Sequence, residues 1–196
     1  MDFFFKPQSI AVIGATANPF KGGNAILKNL IAGFRGGIYP VNPRYEEIEG
    51  LTCYPSVKDV PGDIDLSIVF VPARQVPEAV AACADRKIPG VIIESGGFAE
   101  TGADGGRLQA ALIAMAKTTG IRLWGPNCMG LVDAVNGHVF SFLDPRAFPS
   151  LMPGRVSMVV QSGMLSAGFL VDIMTHGVMG ISKVCSVGNK IDVDEC

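Results

Sequence analysis

The chain has 196 residues, 48% of them hydrophobic and 17% charged, and a net charge of −2. That is apolar material for one full domain and part of another, and it excludes a disordered chain. Lys and Arg, 16 in all, are scattered among 18 Asp and Glu, so the basic footprint of a nucleic-acid binder is missing.

The opening MDFFFKPQSIAVIGATA mimics a signal peptide, but Asp2 sits in its first segment and Pro7 interrupts the apolar run. Cleavage near Ala15–Ala17 would also remove the first strand, so the segment reads as mature protein and Phe3–Phe5 as core packing. Ser9 to Ile13 form a short apolar strand that stops at Gly14. Ala15, Thr16, Ala17, Asn18 and Pro19 follow, then Gly22 and Gly23, before a helix that starts near Asn24. A small-residue loop leading into a helix start suits a phosphate group, whereas the plain alternative is an ordinary tight β-to-α turn.

The helix runs over Ala25 to Phe34, and a second strand, Gly37 to Val41, closes on Asn42, Pro43 and Arg44. A polar excursion, Glu46 to Pro61, precedes a third strand, Leu66 to Val71, which ends at Pro72 and Ala73. A helix over Val76 to Asp85 and a strand over Gly90 to Ile93 lead to Glu94, Ser95, Gly96 and Gly97. A periodic helix, Gly105 to Thr119, feeds a fifth strand, Ile121 to Trp124, and then Gly125, Pro126, Asn127 and Cys128. Strands that are apolar throughout and alternate with helices specify a doubly wound, Rossmann-like parallel sheet over residues 1–130, with ligands beyond the strands' carboxyl ends.

Residues 131–153 carry Pro145, Pro149 and Pro153 with little periodicity and read as a connector. The pattern then restarts over 154–196: strand Arg155 to Val160, turn Gln161–Ser162–Gly163, helix Leu165 to Thr175, strand Ile181 to Val187. One strand–helix–strand unit cannot bury both faces alone, so a truncated second α/β domain that leans on the first or on a partner is expected.

The first loop lacks G-x-G-x-x-G, and no acid closes the second strand. Arg44 there suits a ribose that carries a phosphate, as in NADP or the 3′-phospho-ADP of coenzyme A, or else it is a solvated surface charge. Five cysteines with no CxxC pair and no metal-ligand spacing exclude a disulfide framework and a zinc site and suit a reducing cytoplasm. Cys128 reads as a buried thiol, Glu94 as a strand-end carboxylate held by local amides, and His138 and His176 as ordinary histidines. Asp192, Asp194 and Glu195 read as solvated acids rather than a metal set.

The phrases FKPQSIAVIGATANP, GIYPVNPRYEEIEGLTCYPSV, DLSIVFVPA, VIIESGGFAETG, RLWGPNCMG, VVQSG and SVGNKIDVDE, in that order, resemble the NDP-forming (ADP-forming) acyl-CoA synthetases. These are relatives of the succinyl-CoA synthetase α chain, and the likeness covers essentially the whole sequence. It implies a CoA-binding Rossmann-like domain followed by the start of a flavodoxin-like domain. By the same resemblance Gly14, Ala15, Thr16 and Asn18 cradle the CoA phosphates with help from Lys21, while Asn42, Pro43 and Arg44 flank the 3′-phospho-ADP. Val71, Pro72 and Ala73 would pack near the adenine, Ser95, Gly96 and Gly97 would line the pantetheine path, and Asn127 with Cys128 would lie where thiol meets acyl group. Gln161, Ser162 and Gly163 would receive the phosphate of a phosphohistidine at a helix start. Val160 and Met164 depart from the family's Ser-Gln-Ser-Gly and the small residues after it.

The family interconverts acid, ATP and CoA with acyl-CoA, ADP and phosphate through an acyl phosphate and a phosphohistidine. The phosphohistidine loop and the ATP-grasp part, which would bring ATP or ADP and Mg, are not in these residues, so a CoA-binding portion without turnover is expected, as part of an oligomer. A stand-alone CoA-responsive regulatory module and an NADP-dependent oxidoreductase are the rival readings.

Overall fold

The computed structural model of the protein describes residues 1–147, 151–177 and 179–191. Pro149, Asp192, Asp194 and Glu195, singled out above, lie outside the described residues. A one-turn helix α1 (Asp2–Phe5) precedes β1 (Ser9–Ile13), α2 (Gly22–Gly33) and β2 (Gly37–Val41). A small hairpin follows, β3 (Glu47–Ile48) and β4 (Leu51–Thr52), and then β5 (Leu66–Val69), α3 (Val76–Asp85), β6 (Gly90–Ile93), α4 (Ala103–Thr119) and β7 (Arg122–Trp124).

These build a five-stranded parallel sheet in the order β2-β1-β5-β6-β7. The uninterrupted apolar strands follow from burial of both faces. Ile10 and Val12 of β1 pack with Ile26, Leu27 and Leu30 of α2, whereas Ala11 between them joins Val76 and Val80 of α3 and Leu112 of α4 on the other face. The chain leaves β1 for β2 on one side and for β5 on the other, which makes the carboxyl ends of β1 and β5 the switch point where such sheets open a crevice.

Helix α2 starts two residues before the expected Asn24, because Gly22 and Gly23 belong to its first turn and not to the loop. A methyl group at Gly23 would lie 2.2 Å from the Gly14 carbonyl oxygen, and one at Gly22 would lie 2.6 Å from the Phe70 ring. Close approach of helix to strand is what these positions require. The excursion after β2 also has structure: Tyr54 pairs with β2 through Asn42 N–H to the Tyr54 carbonyl and Tyr54 N–H to the Pro40 carbonyl, both 2.9 Å.

Residues 131–153, expected to lack regular structure, contain most of β8 (Gly130–Asp133), all of β9 (His138–Phe140) and the first residue of β10 (Pro153–Val160). With α5 (Gly163–His176) and β11 (Ile181–Ser186) these form a second, mixed sheet in the order β10-β11-β8-β9, in which only β10 and β11 are parallel. The β8–β9 hairpin turns on Asn136–Gly137, with Asp133 Oδ1 accepting both Val135 N–H and Asn136 N–H at 3.1 Å.

This second sheet packs against the first unit. Asn29 of α2 donates to the Ser141 carbonyl at 2.8 Å and the Leu143 carbonyl at 2.7 Å, and Trp124 Nε1 donates to the Ser186 carbonyl at 2.6 Å. Leu131, Phe140 and Cys185 complete the core cluster that holds α2, so this helix lies between two sheets. His138 stacks on Phe140 with ring centroids 5.4 Å apart, and burial holds its imidazole below the ordinary value against the pull of Asp133, which gives it a packing role.

Gly23→Ala should lower unfolding stability in urea by about 1–3 kcal/mol, because backbone fills the space its methyl needs. Gly106→Ala in α4, where nothing lies within 4 Å, should raise it by about 0.5–1 kcal/mol.

Candidate functional site

The carboxyl ends of the five parallel strands are stitched into one rim, with Ser95 at its middle. Its hydroxyl accepts Val71 N–H at 3.0 Å and its carbonyl accepts Asn127 N–H at 2.9 Å, which joins the tips of β5, β6 and β7. On the other side Gly14 N–H donates to the Val41 carbonyl at 3.0 Å and Asn42 Nδ2 to the Ala15 carbonyl at 2.7 Å, joining β1 to β2.

Between these tips lies a cleft of about 800 Å³. Of the positions expected from sequence, Gly14, Thr16, Lys21, Asn42, Pro43, Arg44, Val71, Pro72, Ser95 and Gly96 line it. Ala15, Asn18, Ala73, Gly97, Asn127 and Cys128 are not among its walls, although Ala73 and Gly97 abut one another and the Asn127 side chain covers Gly96.

The loop after β1 is held by side chains as well as by its small residues. Thr16 Oγ1 lies 3.1 Å from the Tyr45 hydroxyl, and buried Asn24 donates to both the Thr16 carbonyl and Glu49 Oε1, at 3.0 and 2.9 Å. The Asn18 carboxamide bonds Phe20 N–H instead of facing the cleft. The first amides of α2, at Gly22 and Gly23, have no carbonyl one turn back, and Lys21 and Arg44 bring positive charge to the same region. This half of the cleft is built for a polyanion.

Sequence reasoning missed the other half. Pro55, Ser56 and Val57 line it, as do Gln75 and, from α3, Glu78, Ala79 and Ala82. The three α3 residues stand at i, i+1 and i+4, so one face of α3 looks into the cleft, but its mixed composition is that of a solvated face. Proline, valine and alanine walls closed by an amide and a carboxylate suit a flat heteroaromatic base.

A CoA binding domain model matches residues 8–134. The chain belongs to the CoA-binding domain family. It is 42% identical over 97% of its length to acetate–CoA ligase (ADP-forming) II of Archaeoglobus fulgidus, covering 28% of that protein. It is 40% identical over 99% of its length to subunit alpha of acetate–CoA ligase (ADP-forming) II of Pyrococcus furiosus, covering 41% of it. A solved dinucleotide forming acetyl-coenzyme A synthetase 1 from Ca. Korarchaeum cryptofilum, in complex with phosphate and ADP, superimposes with a TM-score of 0.90 at 35% identity, over 99% of this chain and 40% of that one. The chain thus spans less than half the length of these relatives.

Within this CoA-binding family member, Cys128 lies under the rim and not on it. It is 3% exposed and its Sγ donates to the Ile93 carbonyl at 3.3 Å. Burial, with the Glu94 carboxyl beside it, pushes the thiol far up, so it is an unreactive packing group at neutral pH. Glu94 is equally buried, and the amide on its Oε2 comes from distant Phe142 at 3.0 Å, not from the local backbone the sequence suggested; Oε1 has no hydrogen-bond partner among the described residues. Burial holds this carboxyl well above the usual range, with the Phe142 amide opposing only in part.

Gln161 and Ser162 are exposed at the start of α5, where Ser162 Oγ accepts Leu165 N–H at 3.2 Å. A methyl group at Gly163 would lie 3.5 Å from the Met129 amide nitrogen, which sets the start of α5 beside the start of β8. Met164 there is 88% exposed.

Because folding raises its pKa, Glu94 adds its full stability only below the ordinary carboxylate value of about 4.5 and loses it as pH rises toward the folded value. Glu94→Gln should therefore gain stability relative to the parent from about pH 5 upward, and urea titrations at successive pH values should show the flatter profile.

Proposed function

We propose that this chain is the coenzyme A-binding portion of an ADP-forming acyl-CoA synthetase, an acid–thiol ligase. The observation that carries the reading is a single cleft lined by Gly14, Lys21, Gly23 and Arg44 and also by Pro55, Val57, Ala79 and Ala82. In this reading Lys21 and the α2 amides meet the pyrophosphate and Arg44 the 3′-phosphate, while the apolar part of the lining takes the adenine. Ser95 and Gly96 guide the pantetheine toward Asn127. Residues 1–130 form the CoA-binding unit, with residues 131–153 joining it to the beginning of a second, flavodoxin-like domain at 154–196.

The bound thiol attacks an acyl phosphate: sulfur bonds to the acyl carbon, the acyl carbon–oxygen bond breaks, and phosphate leaves with the thiol's proton. The chain's own part is to hold the thiol carrier and keep water from its sulfur, and Gln161, Ser162 and Gly163 receive phosphate at the α5 start. Turnover requires a phosphohistidine loop and an ATP-grasp domain or subunit, with ATP or ADP and Mg there; the naming of the Pyrococcus relative as a subunit alpha supports such a partner. Among the described residues no helix is long and apolar enough to cross a membrane, and Cys53, Cys83, Cys128 and Cys185 are buried thiols, which supports a reducing compartment.

Isothermal titration at low salt should show CoA binding about tenfold more tightly than dephospho-CoA, and Arg44→Ala should shrink that gap. Equal affinities in the parent would remove Arg44 from the role, and absence of binding by both would overturn the proposal.

A further inference from the structure

The loop that follows β11 takes hold of the first unit's rim. Gly188 N–H donates to the Gln161 carbonyl at 3.2 Å, Asn189 N–H to the Pro126 carbonyl at 2.8 Å and Ile191 N–H to the Gly125 carbonyl at 3.0 Å. The fit is close, since a methyl group at Gly188 would lie 2.2 Å from the Pro126 carbonyl oxygen. The loop thus runs from the turn before α5 to the segment after β7.

From that loop Asn189 reaches the tip of β6. Its Nδ2 donates to Glu100 Oε2 at 2.6 Å and to Gln109 Oε1 of α4 at 2.8 Å. The other oxygen of the same carboxylate, Glu100 Oε1, accepts Gly97 N–H at 2.6 Å and Phe98 N–H at 3.0 Å. Burial pushes the Glu100 carboxyl up, but the donors on Asn189, Phe98 and Gly97 outweigh it and hold the group below its ordinary value.

Glu100 stands directly behind the cleft. A methyl group on Gly96, which lines the cleft, would lie 3.5 Å from Glu100 Oε1. Gly96 and Gly97 have no side chains by which to be held, and Gly97 has a φ of +106°. Two successive glycines have the most backbone freedom to lose when a ligand settles on them, so a clamp on their amides spares the ligand that cost. The carboxylate is the clamp, and Asn189 holds the carboxylate.

We propose that Glu100 and Asn189 are a positioning pair through which the loop after β11 presets the Ser95–Gly97 tip for the pantetheine arm of coenzyme A. This rests on the coenzyme A reading. Neither residue is among the walls of the cleft, so the effect runs through the tip. The test is isothermal titration of the 196-residue chain with CoA and with adenosine 3′,5′-bisphosphate, which keeps a phosphorylated adenosine but has no pantetheine. Asn189→Asp sets a second carboxylate against Glu100, and Glu100→Gln sets two amide donors face to face. Each should lower CoA affinity about fivefold and leave the bisphosphate within about twofold of the parent. The double variant Glu100→Gln/Asn189→Asp again places a donor opposite an acceptor and should recover most of the CoA affinity, while unchanged bisphosphate binding shows that each variant is folded.

The assignment fails if the parent binds CoA no more tightly than the bisphosphate, if a single variant weakens both ligands alike, if both single variants keep the parent's CoA affinity, or if the double variant is as weak as the single ones. No binding of either ligand by the parent would overturn the coenzyme A reading together with this one.

Discussion

Ser95 carries the arrangement on which the cleft depends. Its hydroxyl and carbonyl take amides from the tips of β5 and β7 while its own strand, β6, lies between them. Three loops that would otherwise drift independently share one residue, and the ends of parallel strands become a wall instead of a fringe. On the far side Asn42 and the Gly14 amide do the same for β1 and β2. A ligand with phosphates at one end and a thiol at the other needs such a preordered rim, because ordering loops on binding costs affinity.

The second structural dependence is α2, which serves two sheets at once. Its Ile26, Leu27 and Leu30 fill the first core, and Asn29 reaches across to the strand end after β9. Gly23 lets its start sit on the Gly14 carbonyl, so the helix's unpaired amides are delivered to the cleft mouth. The second sheet therefore fixes the helix that starts at the cleft, and the segment between the two units is paired strand and not loose chain.

Much of this was legible in the residues. Apolar strands alternating with helices specify the parallel sheet, because only burial on both faces permits such runs. The placement of Gly14, Thr16, Asn42, Arg44, Ser95 and Gly96 around one opening followed from the rule that strand ends converge. The β8–β9 hairpin was less visible: its strands are four and three residues long, too short for periodicity, although Asn136–Gly137 is a hairpin signal. Gln75 and the α3 face with Glu78 were hidden because a cleft wall and a solvated face have the same composition.

By itself the sequence determined the fold class, the order of elements and the strand-end tips, since these depend on local propensity and on the period of apolar residues. Tertiary structure alone decided which side chains reach the opening. It turned the Asn18 carboxamide to its own loop, buried Cys128 and Glu94 beneath the rim, and brought Phe142 from the hairpin to face Phe70 across 72 residues of chain. Those outcomes rest on packing between distant segments, and no local pattern encodes which of several apolar or polar neighbours will be covered.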